Sequence, residues 1–226
     1  MTEEMFAAVP AGTTLNREQL MKLIQRRAPL YDKSRDGHYN LISALHKSVR
    51  GSDPDAALYW LARMLDGGED RLYIARRLVR MAIEDIGLAD PQALQQALAA
   101  KDTFDFLGSP EGELALAQVT VYLATAPKSN AAYVAYKAAM RMAKESGSLP
   151  PPKHILNAPS GMMAEQGYGA DYAYDHDAPD AFSGQNYFPD GMQRQEFYEP
   201  TGRGFESELK RRLTHWAKLR ADRGGE

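Results

Sequence analysis

Three copies of one helix-start signal, an Asp or Ser followed by Pro, set the strongest limit on what this chain can fold into. They are Asp53-Pro54, Asp90-Pro91 and Ser109-Pro110. The side-chain oxygen can accept from free backbone N–H groups, and proline fits the first helical turn because an N–H there has no partner anyway. Glycine and proline mark the helix ends, and apolar residues recur at helical spacing over residues 14–147. The pattern predicts an all-α helical bundle without strands.

The spacing places seven helices in this part of the chain, near residues 16–27, 38–50, 53–66, 69–86, 91–107, 110–125 and 129–146. Asn16 is the expected N-cap of the first. The connections are short, so neighbouring helices should pack antiparallel or at an angle. The helix over residues 69–86 is apolar on more than one side, and we expect it at the centre of the bundle.

The composition changes after residue 148, where Pro, Gly and Tyr become dense. Such a stretch predicts turns and extended segments, with a short helix near residues 160–166. Its aromatic residues are too many for free disorder, so we expect it to wrap over the bundle and bury them. They are Tyr168, Tyr172, Tyr174, Phe182, Tyr187 and Phe188. A last helix is predicted over residues 205–221.

Charge and cysteine content exclude several functions. The 226 residues carry a net charge of −3, so no global basic field attracts nucleic acid, and a DNA contact would need a local patch. There are no cysteines, which excludes disulfides, thiolate zinc sites and cysteine catalysis and suits a cytoplasmic location. No GxxxxGK[ST] phosphate loop occurs.

Two candidate sites involve charged groups outside any known catalytic motif. The stretch DYAYDHDAPD could hold a metal through Asp171, Asp175, His176, Asp177 and Asp180, but its Gly/Pro loop setting and its single His favour a solvated acidic loop. Lys128 precedes a helix whose first amides could hold an anion, and the alternative is an ordinary helix cap.

The last predicted helix has a basic side that could contact nucleic acid phosphates, or could simply be a solvated face. Its cationic candidates are Lys210, Arg211, Arg212, Lys218 and Arg220. Leu209, Leu213, Trp216 and Leu219 form its apolar stripe. With an apolar side for docking and a basic side for phosphates, the helix is a candidate nucleic-acid contact.

Tyr59, Trp60 and Arg63 form a candidate oligomer interface. Trp60 lies off the inward apolar stripe of its helix, and Trp, Tyr and Arg are the residue types enriched in interface anchors. A second packing contact within the domain is the alternative.

Several uncommon strings then occur in one order along the chain. They are HYNLISALHKSVRGSDPDAALYWLARML, EDIGLADPQAL, LATAPKSNAAY, PDGM and FYEPTGRGFE. Together they resemble the C-terminal region of the RarA/MgsA family of replication-associated AAA+ ATPases, relatives of the Werner-helicase-interacting ATPases. The preceding string LNREQLMKLIQRRAPLYDKSRDGHY looks like the tail of the AAA+ lid.

The resemblance implies a fold like the clamp-loader collar. It implies residues 1–37 as the end of the lid, 38–147 as a collar-like oligomerisation domain, and 148–226 as an irregular segment plus a basic helix packed on the bundle. It further implies a homotetramer, DNA bound through the full-length protein, and single-strand-binding protein as a partner. ATP and Mg²⁺ would belong to the family's ATPase module, so we expect no cofactor and no catalysis in this chain. The alternatives are a metal-dependent enzyme using residues 171–180, or a stand-alone DNA-binding helical module.

Overall fold

The computed structural model describes residues 16–17 and 35–223, with side chains from residue 39 onward in the second range. The helix predicted over residues 16–27 lies almost entirely outside this part. The all-α prediction is confirmed: the described residues contain eight α-helices and no strand. The helices are α1 (Arg35–Arg50), α2 (Pro54–Asp66), α3 (Arg71–Met81), α4 (Ala93–Leu107), α5 (Glu113–Thr125), α6 (Ala131–Ser146), α7 (Gly161–Glu165) and α8 (Glu206–Asp222). None of these is long and apolar enough to cross a membrane.

The three start signals differ in how they act. At α2 the prediction is confirmed, because Asp53 accepts from the Ala56 N–H at 2.9 Å and Pro54 opens the helix. Asp90 accepts from the Gln92 N–H at 3.0 Å, but a turn intervenes before α4. At Ser109 the capping prediction is wrong, since its hydroxyl donates to the Glu113 carboxylate instead.

Helix α5 is at least as central in the bundle as residues 69–86, the segment that we predicted to lie at its centre. It packs against α1, α2, α3 and α4, whereas α3 packs against α1, α4 and α5. The predicted central segment packs against fewer helices because part of its surface is not buried: its residues Leu72 and Ile83 are about half exposed. The α5 side chains in the core form one broad face of the helix at i, i+3, i+4 spacing, and they are Leu116, Val119, Thr120, Leu123 and Ala124.

The predicted helix over residues 69–86 is interrupted near its end. Its last turn, Ala82–Ile86, is a π-helical turn, followed by a 3-10 turn at Gly87–Ala89. Single π turns occur frequently at functional sites. This one carries Asp85, a buried carboxylate, into the space between α1 and α6.

The segment between α6 and α8 is irregular, as predicted, with α7 as its short helix. The expected burial of its aromatic rings is wrong for three of them, because Tyr172, Tyr174 and Tyr187 are 43–55% exposed. Phe182 contacts α8 instead of the bundle core, lying beneath the guanidinium groups of Arg220 and Arg223. Phe182 of this segment therefore packs at the end of the last helix.

The side chain of Asp53 should stabilise the start of α2. Replacing Asp53 with alanine removes the acceptor for the Ala56 N–H and should lower the free energy of unfolding by about 1 kcal/mol. Chemical denaturation followed by circular dichroism measures the change. Asp55→Ala, in the same turn but without the cap bond, is the matched control, and an equal loss in both variants would contradict the capping role.

Candidate polar cleft

A polar cleft of about 380 Å³ opens where four separate segments meet. These are the end of α1, the π turn, the start of α6 with the loop before it, and the loop before α8. The cleft is lined by Arg50, Glu84, Asp85, Lys128, Ser129, Asn130, Tyr133 and Arg203. Lys128 is the one lining residue that sequence analysis proposed as a contact.

Asp85 forms the floor of the cleft, and its carboxylate is paired. One oxygen lies 2.6 Å from His46 Nε2, and the other accepts from Arg50 Nε at 2.5 Å. Burial opposes ionisation of Asp85, but the hydrogen bonds from His46 and Arg50 outweigh it, so the pKa of Asp85 lies below its usual range. The cluster joins α1 to the π turn.

Glu206, the first residue of α8, is fully buried and is the second anchored carboxylate. It accepts from the Tyr198 hydroxyl at 2.9 Å and from the N–H and hydroxyl of Thr201 at 2.8 Å each. Ser129 supplies a further hydrogen bond. Burial opposes its ionisation, yet these donors outweigh it and lower the pKa of Glu206. The carboxylate therefore ties the start of α8 to the loop before α6.

A close backbone approach fixes the same junction. The Phe205 N–H donates to the Ala89 carbonyl at 2.8 Å. Gly204 has φ +53, and a Cβ there would lie 2.1 Å from the Ala89 oxygen and 2.8 Å from the Pro127 ring. No side chain fits at Gly204, so glycine is required at this position for α8 to dock.

Lys128 lies at the wall of the cleft. Its ammonium donates to the carbonyls of Ala124 and Ala126, at 2.9 and 2.6 Å. Burial lowers the pKa of Lys128, and the negative charge of Asp85 partly opposes this. Ser129, and not Asn130, caps α6 by accepting from the Ala131 N–H at 3.1 Å.

The residues predicted for an oligomer interface lie together on α2 but differ in exposure. Trp60 is half-buried and packs against the hydrophobic core. Tyr59 is 54% exposed, lies edge-on to Trp60 at 5.0 Å and accepts from Arg63 at 3.3 Å. Tyr59 and Arg63 thus form a surface supported from beneath by Trp60, and their role in an interface stays a prediction.

The basic residues of α8 do not form one uniform face. Arg211 and Arg212 both pair with Glu208. Arg220 is turned inward, 5.0 Å from the Phe182 ring, and burial together with Arg194 lowers the pKa of its guanidinium. Lys210 and Lys218 are exposed and form no ion pair within the described part of the chain. A nucleic-acid contact by this helix stays a prediction.

The Asp/His loop is organised by its own hydrogen bonds. Asp175 accepts from the N–H and hydroxyl of Ser183, and from the Tyr187 hydroxyl at 2.7 Å. The Ser183 and Tyr187 hydrogen bonds lower the pKa of Asp175. Among residues 16–17 and 35–223 no group of three His, Asp or Glu side chains is placed to hold a metal ion.

Sequence reasoning does not single out Asp85, Glu206 or Arg203. Asp85 leaves one signal, an acid that interrupts the apolar run at the end of the predicted central helix. Glu206 leaves none, because an acid at a helix start is common and gives no hint of full burial.

The fold places this chain in the class of all-α helical-bundle domains. Its last helix is fixed to the bundle through the buried carboxylate of Glu206. The chain belongs to the family described as the MgsA AAA+ ATPase C terminal, whose model matches residues 51–217. A second model, the AAA C-terminal domain, matches residues 2–50. The predicted family resemblance is confirmed.

Individual relatives agree with this assignment. The replication-associated recombination protein A of Haemophilus influenzae is 50% identical over 203 residues, which are 89% of this chain and 46% of that protein. The protein of the same name from Escherichia coli K12 is 49% identical over 205 residues, 90% of this chain and 46% of the relative. ATPase WRNIP1 of Dictyostelium discoideum is 47% identical over 190 residues, 82% and 21% respectively. The chain thus spans about half the length, or less, of these relatives.

Proposed function

We propose that this chain is the non-catalytic oligomerisation and interaction region of a DNA-dependent AAA+ ATPase acting in replication-fork maintenance, recombination and repair. Membership of the MgsA C-terminal family supports the parentage. ATP and Mg²⁺ would be bound by the ATPase module of the whole protein, and this region would not hydrolyse ATP. Residues 38–147 would form the collar-like domain, between a lid segment (1–37) and the tail (148–226).

The proposed partners follow from the same parentage. The region would assemble with three further copies of itself, and the whole protein would bind DNA and single-strand-binding protein. It would act in the cytoplasm, associated with the nucleoid. Relatives named for replication-associated recombination support this setting.

The observation that carries self-association is the apolar surface that one copy leaves uncovered. A groove of about 340 Å³ runs between α3 and α4, and its lining combines the apolar or aromatic groups Leu72, Tyr73, Val79 and Leu98 with the charged groups Asp70, Arg76 and Lys101. Leu72 and Leu98 are each 45% exposed. Contiguous apolar surface of this kind marks protein contacts, and a second copy of the same chain is the occupant that closed symmetry provides.

The α2 surface is a second proposed part of the interface. Tyr59 presents a large ring held in place by Trp60 and Arg63. Trp, Tyr and Arg are the residue types most enriched among interface anchors, and a Tyr ring loses little conformational entropy on binding.

Light scattering coupled to size exclusion tests the proposal. The wild-type chain should be a tetramer at micromolar concentration, and Leu98→Lys should shift it to smaller species because a charge replaces an exposed apolar side chain of the groove. Gln96→Lys, which adds the same charge at an exposed position of α4 that does not line this groove, should leave the tetramer intact. Tyr59→Ala reports on the α2 surface separately. A wild-type monomer would refute self-association.

A further inference from the structure

The charges of the polar cleft do not balance. Asp85 forms an ion pair with Arg50 and a hydrogen bond with His46. Glu84 accepts from Arg80 Nε at 2.7 Å and lies 3.4 Å from an Arg50 nitrogen. Both carboxylates that line the cleft are therefore already matched by cations from α1 and α3.

Two further cations line the same cleft without a matching acid. Neither Lys128 nor the exposed Arg203 forms an ion pair with any residue in the described ranges. Lys128 uses two of its three ammonium N–H groups to donate hydrogen bonds to the Ala124 and Ala126 carbonyls, so one N–H group is left for another acceptor. The half-buried ammonium hydrogen-bonds only to neutral carbonyls, in a place where water screens charge poorly, and the charge of Asp85 offsets this burial only in part.

The first turn of α6 adds donors to the same wall. The first bond within this helix runs from the Val134 N–H to the Asn130 carbonyl, and Ser129 takes the Ala131 N–H. The amides of Ala132 and Tyr133 precede that bond, so they have no partner inside the helix. Asn130 and Tyr133 line the cleft, and the helix end carries partial positive charge.

We propose that this cleft binds a phosphate group through Lys128, Arg203 and the first amides of α6. The donors come from three separate segments, and a tetrahedral oxyanion offers them three or more oxygens, where a carboxylate offers two. The phosphate could be a free ion or monoester, or one phosphodiester of a nucleic acid strand, and these share the recognising chemistry. The inference is independent of self-association.

Inorganic phosphate is the probe for the site itself. Phosphorus-31 line broadening, measured against protein concentration in phosphate-free buffer at fixed ionic strength, should show saturable binding. Arg203→Gln should weaken it by about tenfold, the effect of losing one charge-assisted hydrogen bond. Lys128→Met should weaken it at least as much. Because the Arg203 side chain has no partner in the described structure, replacing it should not disturb the fold. Arg203→Gln therefore tests phosphate binding on its own if Lys128→Met does not fold.

Arg141→Gln is the matched control, because it removes one exposed positive charge from α6 away from the cleft. It should change phosphate affinity less than twofold. The proposal is overturned if phosphate shows no saturable broadening, or if Arg141→Gln loses as much affinity as Arg203→Gln.

A labelled single-stranded thymidine oligonucleotide distinguishes the two sources of phosphate. If a strand occupies the cleft, Arg203→Gln weakens oligonucleotide binding and inorganic phosphate competes with it. If the ligand is a free phosphate or monoester, Arg203→Gln weakens phosphate binding alone. Either pattern supports the site, and an Arg203→Gln variant that binds both ligands like wild type overturns it.

Discussion

Replacing Glu206 with alanine is expected to lower the free energy of unfolding by about 3 kcal/mol, because buried donors lose their common acceptor. The donors are the Tyr198 and Thr201 hydroxyls, the Thr201 N–H and Ser129. Denaturant titration at fixed protein concentration measures the loss. Hydrogen exchange should also rise in residues 198–206, where the Thr201 amide loses its acceptor.

Glu208 provides the control two residues further along α8. It pairs only with Arg211 and Arg212 at the surface, and such pairs contribute less than about 1 kcal/mol. Glu208→Ala should therefore leave exchange at residues 198–206 unchanged. If both variants lost equal stability, Glu206 would have no anchoring role.

Asp85→Asn should also destabilise the chain by about 3 kcal/mol, since the buried cluster loses the carboxylate that His46 and Arg50 share. The amide keeps the shape of the side chain, so the loss reports on charge and hydrogen bonding. Asp66→Asn, at an exposed position at the end of α2, should change stability by less than about 0.5 kcal/mol.

The same variant should change the acid dependence of stability. The pKa of Asp85 is lowered in the folded state, so its contribution is complete above the unfolded value of about 3.9 and is lost as pH falls through the folded pKa. Below about pH 4 the wild-type curve should therefore fall more steeply than that of Asp85→Asn. Glu206, whose pKa is also lowered, should keep part of the acid dependence in the variant. Superimposable acid limbs would contradict the assignment.

The helices could be predicted from the sequence because their signals are local. The cap at Asp53 and helical apolar spacing fix the start of α2 with contacts inside one turn. The capping prediction at Ser109 fails although the competing contact is also local: Glu113 lies four residues away, and the spacing does not show which hydrogen bond the hydroxyl makes.

Of the residues that line the polar cleft, only one could be predicted from the sequence as a contact residue. Lys128 is visible in the sequence because it precedes a helix, a local relation. Asp85 meets His46 across 39 positions of chain, and the burial of Glu206 depends on docking between distant loops. The three unburied tyrosines show the same limit, since composition indicates that rings must pack but not which surface is left to receive them.

The two tryptophans lie in different surroundings, and this gives the chain a built-in optical reporter. Trp60 is packed against the core, whereas Trp216 on α8 is 41% exposed. Emission from Trp216 should be red-shifted and readily quenched by iodide, and a blue shift would signal that another molecule has covered the last helix. Emission from Trp60 should change when the bundle opens or when another copy covers the α2 surface, so each Trp→Phe variant isolates one region of the chain.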